Sequence, residues 1–94
     1  MNAPELGAIA TSRAGHDKAQ TFVIVGRDGD EYALLCDGAS RPVEKPKRKK
    51  LKHLRVEPHV AEEIREQLLA GETLQNAQVR KALIALGYHK EPGK

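Results

Sequence analysis

The apolar residues of this chain change their spacing once, near Glu57-Pro58, and that change limits the fold more than any other feature. Upstream, apolar and polar residues alternate in short runs broken by Gly, Pro and Asp, the pattern of half-buried strands. Downstream, apolar residues recur every three or four positions, as on the packed face of a helix. A chain of 94 residues has room for one domain, or for a small domain with an appendage. The expected class is mainly β with an α appendage.

Five strands are expected in the first part. Residues 6–11 alternate Leu6, Ala8 and Ala10 with Gly7, Ile9 and Thr11. Residues 20–26 hold the β-formers Thr21, Phe22, Val23, Ile24 and Val25. Arg27-Asp28-Gly29-Asp30 reads as a tight hairpin turn, since Asp-Gly supplies positive φ angles, and residues 31–36 form the third strand. Asp37-Gly38 reads as a second turn of the same chemistry. A short fourth strand is expected over 41–44, held to an edge by Pro42, followed by a charge run over 47–50. The last strand covers 51–56. Leu51 falls on the face opposite Leu54 and Val56, so a bulge or short turn is expected near Lys52-His53. Five short strands joined by hairpins suit a small SH3-like barrel, which removes most of the exposed edges.

Residues 58–94 read as a helical hairpin. Pro58 suits the first turn of a helix, and Val60, Ile64 and Leu68 form its apolar stripe. Gly71 reads as its C-cap and Asn76 as the N-cap of the next helix. Val79, Ala82, Leu83 and Leu86 form the second stripe, and Gly87 ends it. The expected division is a barrel over 1–57, with a basic segment at 41–55, and the hairpin over 58–94. Helices this short are marginal alone in water, so they are expected to dock on each other, on the barrel or on a partner.

The net charge is only +3, but it is unevenly placed. Between positions 41 and 55 stand Arg41, Lys45, Lys47, Arg48, Lys49, Lys50, Lys52 and Arg55, against the single acid Glu44. The segment therefore carries +7 and the rest of the chain −4. Pro42 and Pro46 favour an extended stretch. Lys supplies mobile point charges and Arg a planar fork for phosphate or a base. Such density repels itself in the free protein and favours a polyanion, because each phosphate neutralised releases condensed counterions. The plainer alternatives are a solvated charge run and a basic localisation tag. A membrane-surface role is weaker, since no amphipathic helix with aromatic anchors accompanies the charge.

The loop Arg13-Ala14-Gly15-His16-Asp17-Lys18 lies between the first two strands. Gly15 permits positive φ or close approach to a ligand, Arg13 and Lys18 flank it with charge, and Asp17 can brace the loop by accepting neighbouring backbone N–H groups. From the loop alone, an ordinary hairpin connection with solvated charges is the plainer reading.

Leu6-Gly7-Ala8-Ile9-Ala10, then Ala14-Gly15-His16-Asp17-Lys18, then Phe22-Val23-Ile24-Val25 resembles a KOW motif, a strand-loop-strand segment centred on a glycine that Gly15 matches. Asp37-Gly38, Glu44-Lys45-Pro46-Lys47 and Lys52-His53-Leu54, with Asn76-Ala77 and Val79-Arg80-Lys81-Ala82-Leu83 further on, resemble a narrower group. These are bacterial KOW-domain RNA-binding proteins related to the eukaryotic and archaeal large-subunit ribosomal protein fourteen. The likeness covers most of the chain. One departure is Ala19, where the family usually has a second glycine after the Asp-Lys pair; if that position needs positive φ, Ala19 brings strain or a changed loop. The resemblance implies an SH3-like barrel with RNA, often ribosomal RNA, as its ligand.

Other chemistry finds little support. Phe22, Tyr32 and Tyr88 are the only aromatic residues, too few for a base-stacking platform; Phe22 reads as core, Tyr32 as core in preference to a lone stacking residue, and Tyr88 as a cap beyond a helix end. His16, His53, His59, His89 and Cys36 show no zinc spacing, and His16 and His53 suit phosphate or ribose contact, or solvent. Ser12 and Ser40 have no activating partner. Glu31, Asp37 and Glu44 make no recognisable metal constellation, and no nucleotide-binding glycine loop is present. Cys36 reads as a small buried hydrophobe; a lone thiol makes no internal disulfide, which fits a reducing compartment. No run approaches the ~20 apolar residues of a membrane span, and residues 1–11 lack the features of a signal peptide.

These readings converge on a non-catalytic RNA-binding protein, cytoplasmic and ribosome-associated, with no metal, cofactor or small-molecule substrate. Its expected RNA contacts are Arg13, Gly15, His16 and Lys18 in the loop. In the basic segment they are Arg41, Lys45, Lys47, Arg48, Lys49, Lys50, Lys52, His53 and Arg55. The expected partner is ribosomal or other structured RNA bound through its phosphates, with ribosomal proteins as further contacts. The rival expectation is a protein-interaction adaptor of the translation or transcription machinery, using Val60, Ile64, Val79 and Leu83 as its docking face.

Overall fold

The computed structural model describes residues 4–89. Within them the chain forms β1 (Ala8–Ser12), β2 (Thr21–Asp28), β3 (Tyr32–Cys36) and β4 (Lys47–Lys50). A single 3₁₀ turn (Leu51–His53) then leads to β5 (Leu54–Val60), α1 (Glu62–Leu69) and α2 (Asn76–Ala85). The strands make one antiparallel sheet in the order β4-β3-β2-β1-β5. The chain is thus mainly β with two helices.

β4 and β5 occupy opposite edges of the sheet, yet only Leu51–His53 separates them. Laid flat, five strands would put the outer two about 19 Å apart. The four chain steps from Lys50 to Leu54 reach at most about 15 Å, and less when wound as 3₁₀. The sheet therefore curls. By hydrogen bonding it remains open, since no ladder joins β4 to β5 among the described residues.

Curling buries the sheet on both faces. The inner face gathers Ala8, Ala10, Phe22, Ile24, Ala33, Leu35 and Leu54, where three alanines leave volume for the Phe22 ring. The outer face, with Ile9, Val23 and Cys36, is covered by Ala61, Ile64, Leu74, Val79 and Leu83. A strand buried on both sides loses its alternation, which is why β2 reads as the unbroken apolar run Phe22-Val23-Ile24-Val25. The helices come close enough to require glycine at two contacts. At Gly38 (φ +78) a Cβ would lie 2.4 Å from the Asn76 backbone oxygen, and at Gly7 (φ +84) it would lie 2.9 Å from Arg65 Cβ.

The structure changes four of the sequence expectations. The fourth strand is not 41–44 but the charge run itself, paired with β3 from Tyr32↔Lys50 to Leu35↔Lys47. Four successive cations show no apolar period, so only their pairing with β3 marks them as a strand. Pro58 does not open a helix; β5 continues through it to Val60. The β1–β5 register slips between Ala8 and Ala10, and Pro58 stands opposite that irregularity on an edge strand, where its missing N–H is tolerated. Asp37-Gly38 is not a two-residue hairpin but the start of the long connection 37–46. Asn76 is not an N-cap: Gln75 holds that position, its N–H donating to Gln78 Oε1 at 3.1 Å. The Asn76 side chain instead accepts from Val43 N–H at 2.8 Å and donates to the Glu44 carboxylate at 3.0 Å. The β2–β3 hairpin turn, the short turn at Lys52-His53 and the positive φ of Gly71 and Gly87 are as expected. Residues 90–94 of the expected helical segment lie outside the described residues, as do residues 1–3.

Candidate functional site

The β1–β2 loop and the basic segment, remote in sequence, meet at Asp17. Gly15 (φ +86) and Ala19 (φ +76) bend the loop. Ala19 N–H returns to Ser12 O at 2.8 Å, which turns Asp17 inward until its side chain is 9% exposed. Asp17 Oδ1 accepts from Ser12 Oγ at 2.7 Å and from Lys49 Nζ at 2.8 Å. Lys47 Nζ lies 3.0 Å from Oδ2; that is an ion contact without hydrogen-bond alignment, so Oδ2 has compensating charge but no directed donor. Lys49 also donates to Ala14 O at 2.9 Å. The Asp17 side chain is therefore met by lysine ammonium groups and the Ser12 hydroxyl, and not by neighbouring backbone N–H groups.

Strand alternation explains why these two lysines converge. Lys47 and Lys49 stand opposite Leu35 and Ala33 on the inner face of the sheet. Inward charges on an edge strand discourage pairing with another chain, but once buried they require partners. Burial of Asp17 acts to raise its pKa. The Lys49, Ser12 and Lys47 contacts outweigh that, and hold its carboxyl well below the usual carboxylate range.

The remaining expected contacts fall into distinct groups. Arg48, on the other side of β4, pairs with Asp28 at 2.6 Å and lies 3.5 Å above the Tyr32 ring. Arg55 pairs with Glu57 at 2.8 Å, which also accepts from Thr11 Oγ1 at 2.8 Å. Those two donors hold the Glu57 carboxyl below its usual value. Arg13, Lys18, Arg41, Lys45 and Lys52 are exposed, Lys50 is half-buried, and none of the six has an ion-pair partner among the described residues. Gly15 adjoins Lys49, whose Nζ lies 3.5 Å from where a Cβ would be. His16 is exposed and His53 half-buried. Arg13 N–H donates to His53 O at 2.8 Å, fastening the loop beside the turn that carries Lys52.

Arg41 and Lys45 lie on the connection 37–46, at the same end of the sheet. Asp37 organises that loop by accepting from the N–H groups of Ala39 and Arg41, each at 2.9 Å, and from Ser40 Oγ at 2.8 Å. Arg80, on α2, donates to Gly38 O, so it helps dock the loop. Against the eight cations of the segment stand Glu44, Asp17, Asp28 and Glu57, so the assembled patch keeps +4 of the +7 counted along the chain.

Sequence reasoning missed the pairing of Lys47 and Lys49 with Asp17, the Arg48–Tyr32 stack and the Thr11–Glu57 bond. The one available signal was the period-two placement of Lys47 and Lys49 directly after Pro46, which suits an edge strand with inward charges.

The other reactive groups are quiet. Burial first, then the nearby charges of Asp37 and Glu44, push the Cys36 thiol up to about 12, which leaves it protonated and inert at neutral pH. Tyr88 packs on the outer-face cluster with its hydroxyl bonded to His59 Nδ1; burial and then Glu57 raise its pKa. Among the described residues no group of three or more His, Cys, Asp or Glu is placed to hold a metal, and no helix is long and apolar enough to cross a membrane. No protein-family model matches the chain, and no curated protein matches it significantly.

Proposed function

We propose that this is a non-catalytic RNA-binding protein of the KOW kind, with the curled sheet acting as an SH3-like barrel and phosphate contact supplying most of the affinity. The target class is ribosomal or other structured RNA, on the large ribosomal subunit in the cytoplasm. One observation carries this reading. The Asp17 contacts and the Arg13–His53 bond join the β1–β2 loop to the remote basic segment, whose eight cations keep a surplus of +4 over Glu44 and the acids they pair with. A folded domain concentrates uncompensated charge in this way at the cost of self-repulsion, which a polyanion relieves.

The lack of a free aromatic platform supports phosphate contact over base reading. Tyr32 is covered by Arg48, and Phe22 has no exposed surface. The test is binding of the pure protein to fluorescein-labelled ribosomal RNA fragments across a salt series. Log affinity is expected to fall linearly with log salt, by about 0.7 to 0.9 per phosphate contacted. In cell lysate the protein is expected to sediment with the large subunit at low salt and to leave it as salt rises. Salt-independent or absent binding, with sedimentation only in light fractions, would overturn the reading.

One feature favours the adaptor alternative: an apolar cleft lined by Val60, Ala61, Ile64, Ala82, Ala85 and Leu86. Ile64, Val79 and Leu83 are themselves packed on the sheet, so variants testing that reading belong at the cleft rim, at Ala85 and Lys81.

A further inference from the structure

The densest cationic run of the chain is not uniformly available to a ligand. Lys49 has a side-chain exposure of 10% and Lys47 of 25%, and both ammonium groups are already directed at Asp17. Withdrawing either to meet a phosphate would strand the Asp17 carboxylate, nearly buried, with fewer donors than it needs. Arg13, Lys18 and Lys52 are in the opposite situation. All three are exposed, and no acid pairs with them among the described residues. They are also held near one another. Arg13 is bonded through its backbone to His53, the neighbour of Lys52, and Lys18 follows Asp17 in the turn closed by the Lys18 N–H to Gly15 O bond.

We propose that Arg13, Lys18 and Lys52 form the phosphate-contacting face, and that Lys47 and Lys49 are structural lysines that shape this face without touching RNA. The inference rests on the RNA reading and refines it: the face consists of one loop and one 3₁₀ turn, and the strand that looks most basic in sequence is its internal support. Arg41 and Lys45, on the neighbouring loop, add to the field without being tied to the trio by any contact. The geometry suits a backbone that crosses the end of the sheet, not one that runs along β4.

Lysine footprinting tests this on the unaltered protein. The chain is acetylated briefly with an N-hydroxysuccinimide ester, alone and with excess ribosomal RNA fragments, and each lysine is quantified by mass spectrometry. Lys18 and Lys52 are expected to react fast in the free protein and to be protected several-fold by RNA. Lys49 is expected to react slowly in both states, with Lys47 intermediate and unchanged by RNA. Fast reaction of Lys47 and Lys49, with protection on binding, would overturn the assignment, as would unprotected Lys18 and Lys52 in a saturated complex. Salt titration provides the second measurement. Replacing Arg13, Lys18 and Lys52 by Gln should lower the salt slope by about one per residue. The set Asp17→Asn, Lys47→Met, Lys49→Met, which lowers the net charge by only one, should leave the slope in place, and a drop of about two would overturn the proposal. If the wild-type protein binds no RNA at any salt, the RNA reading fails and this inference falls with it, a result separate from an RNA complex with the wrong lysines protected.

Discussion

Asp17 and Asp37 sit in two loops at the same end of the sheet, each 7% exposed, and they are satisfied in contrasting ways. Asp37 takes its donors from its own loop, two backbone N–H groups and a serine within four residues. Asp17 takes one from Ser12 nearby and the rest from ammonium groups on β4, Lys49 being 32 residues away. Each loop also holds a positive-φ glycine, but Gly38 is pressed against α2, whereas Gly15 faces an ammonium group. The difference teaches what each loop depends on. The Asp37 loop can form its turn locally and then receive the helix. The Asp17 loop closes its own backbone, but its carboxylate finds its counter-charges only once β4 has paired.

Substitutions can break this contrast on either side. The largest effect is expected at Gly38→Ala, where a positive φ and a Cβ 2.4 Å from the Asn76 oxygen combine strain with overpacking. Urea denaturation should show a loss of about 3 kcal/mol or more; a loss near zero would mean that α2 does not press on this loop. Asp17→Asn should cost about 3 kcal/mol at neutral pH, because Lys49 is left nearly buried without its counter-charge. The same residue sets a pH dependence. Its folded pKa lies below the ordinary 3.8, so its stabilisation is complete above that value and disappears as pH falls toward the depressed folded pKa. Thermal melts should show a loss of stability below about pH 4 that is reduced in Asp17→Asn, and parallel curves for the two proteins would show that the hub does not hold the carboxylate. The smallest effect is a gain. Ala19→Gly should stabilise by about 1 kcal/mol, since Ala19 holds φ +76, where glycine is at ease. A destabilised variant would show that the loop does not need that conformation.

Much of the fold was legible because it rests on local chemistry. Asp28-Gly29 predicted the β2–β3 turn, Gly71 and Gly87 the helix ends, and the misplaced parity of Leu51 the turn at Leu51–His53. What escaped was set by partners elsewhere. Lys47–Lys50 becomes a strand only because β3 offers an edge, and Pro58 stays extended because β1 supplies an irregular register there. The site was legible as a list and not as an arrangement. Charge density singled out the segment and Gly15 singled out the loop. Which cations stay exposed depends on Asp17, and nothing local in the sequence pairs Asp17 with Lys49. The strain at Ala19 was foreseen only through the resemblance, which sets a glycine at that position; Ala19 does hold a positive φ.

The position of β1 also fixes an order of events in synthesis. Thr11 approaches Thr21 ten residues later in the chain, but donates to Glu57 46 residues later. Closing the longer loop costs about 1.4 kcal/mol more chain entropy than the shorter. On a ribosome extending the chain from its N-terminus, β1 can join β2 early, but its other edge stays bare until β5 emerges. During that interval a nascent chain presents a ready template to its neighbours. β5, the last strand made, is therefore the one that covers this edge of β1.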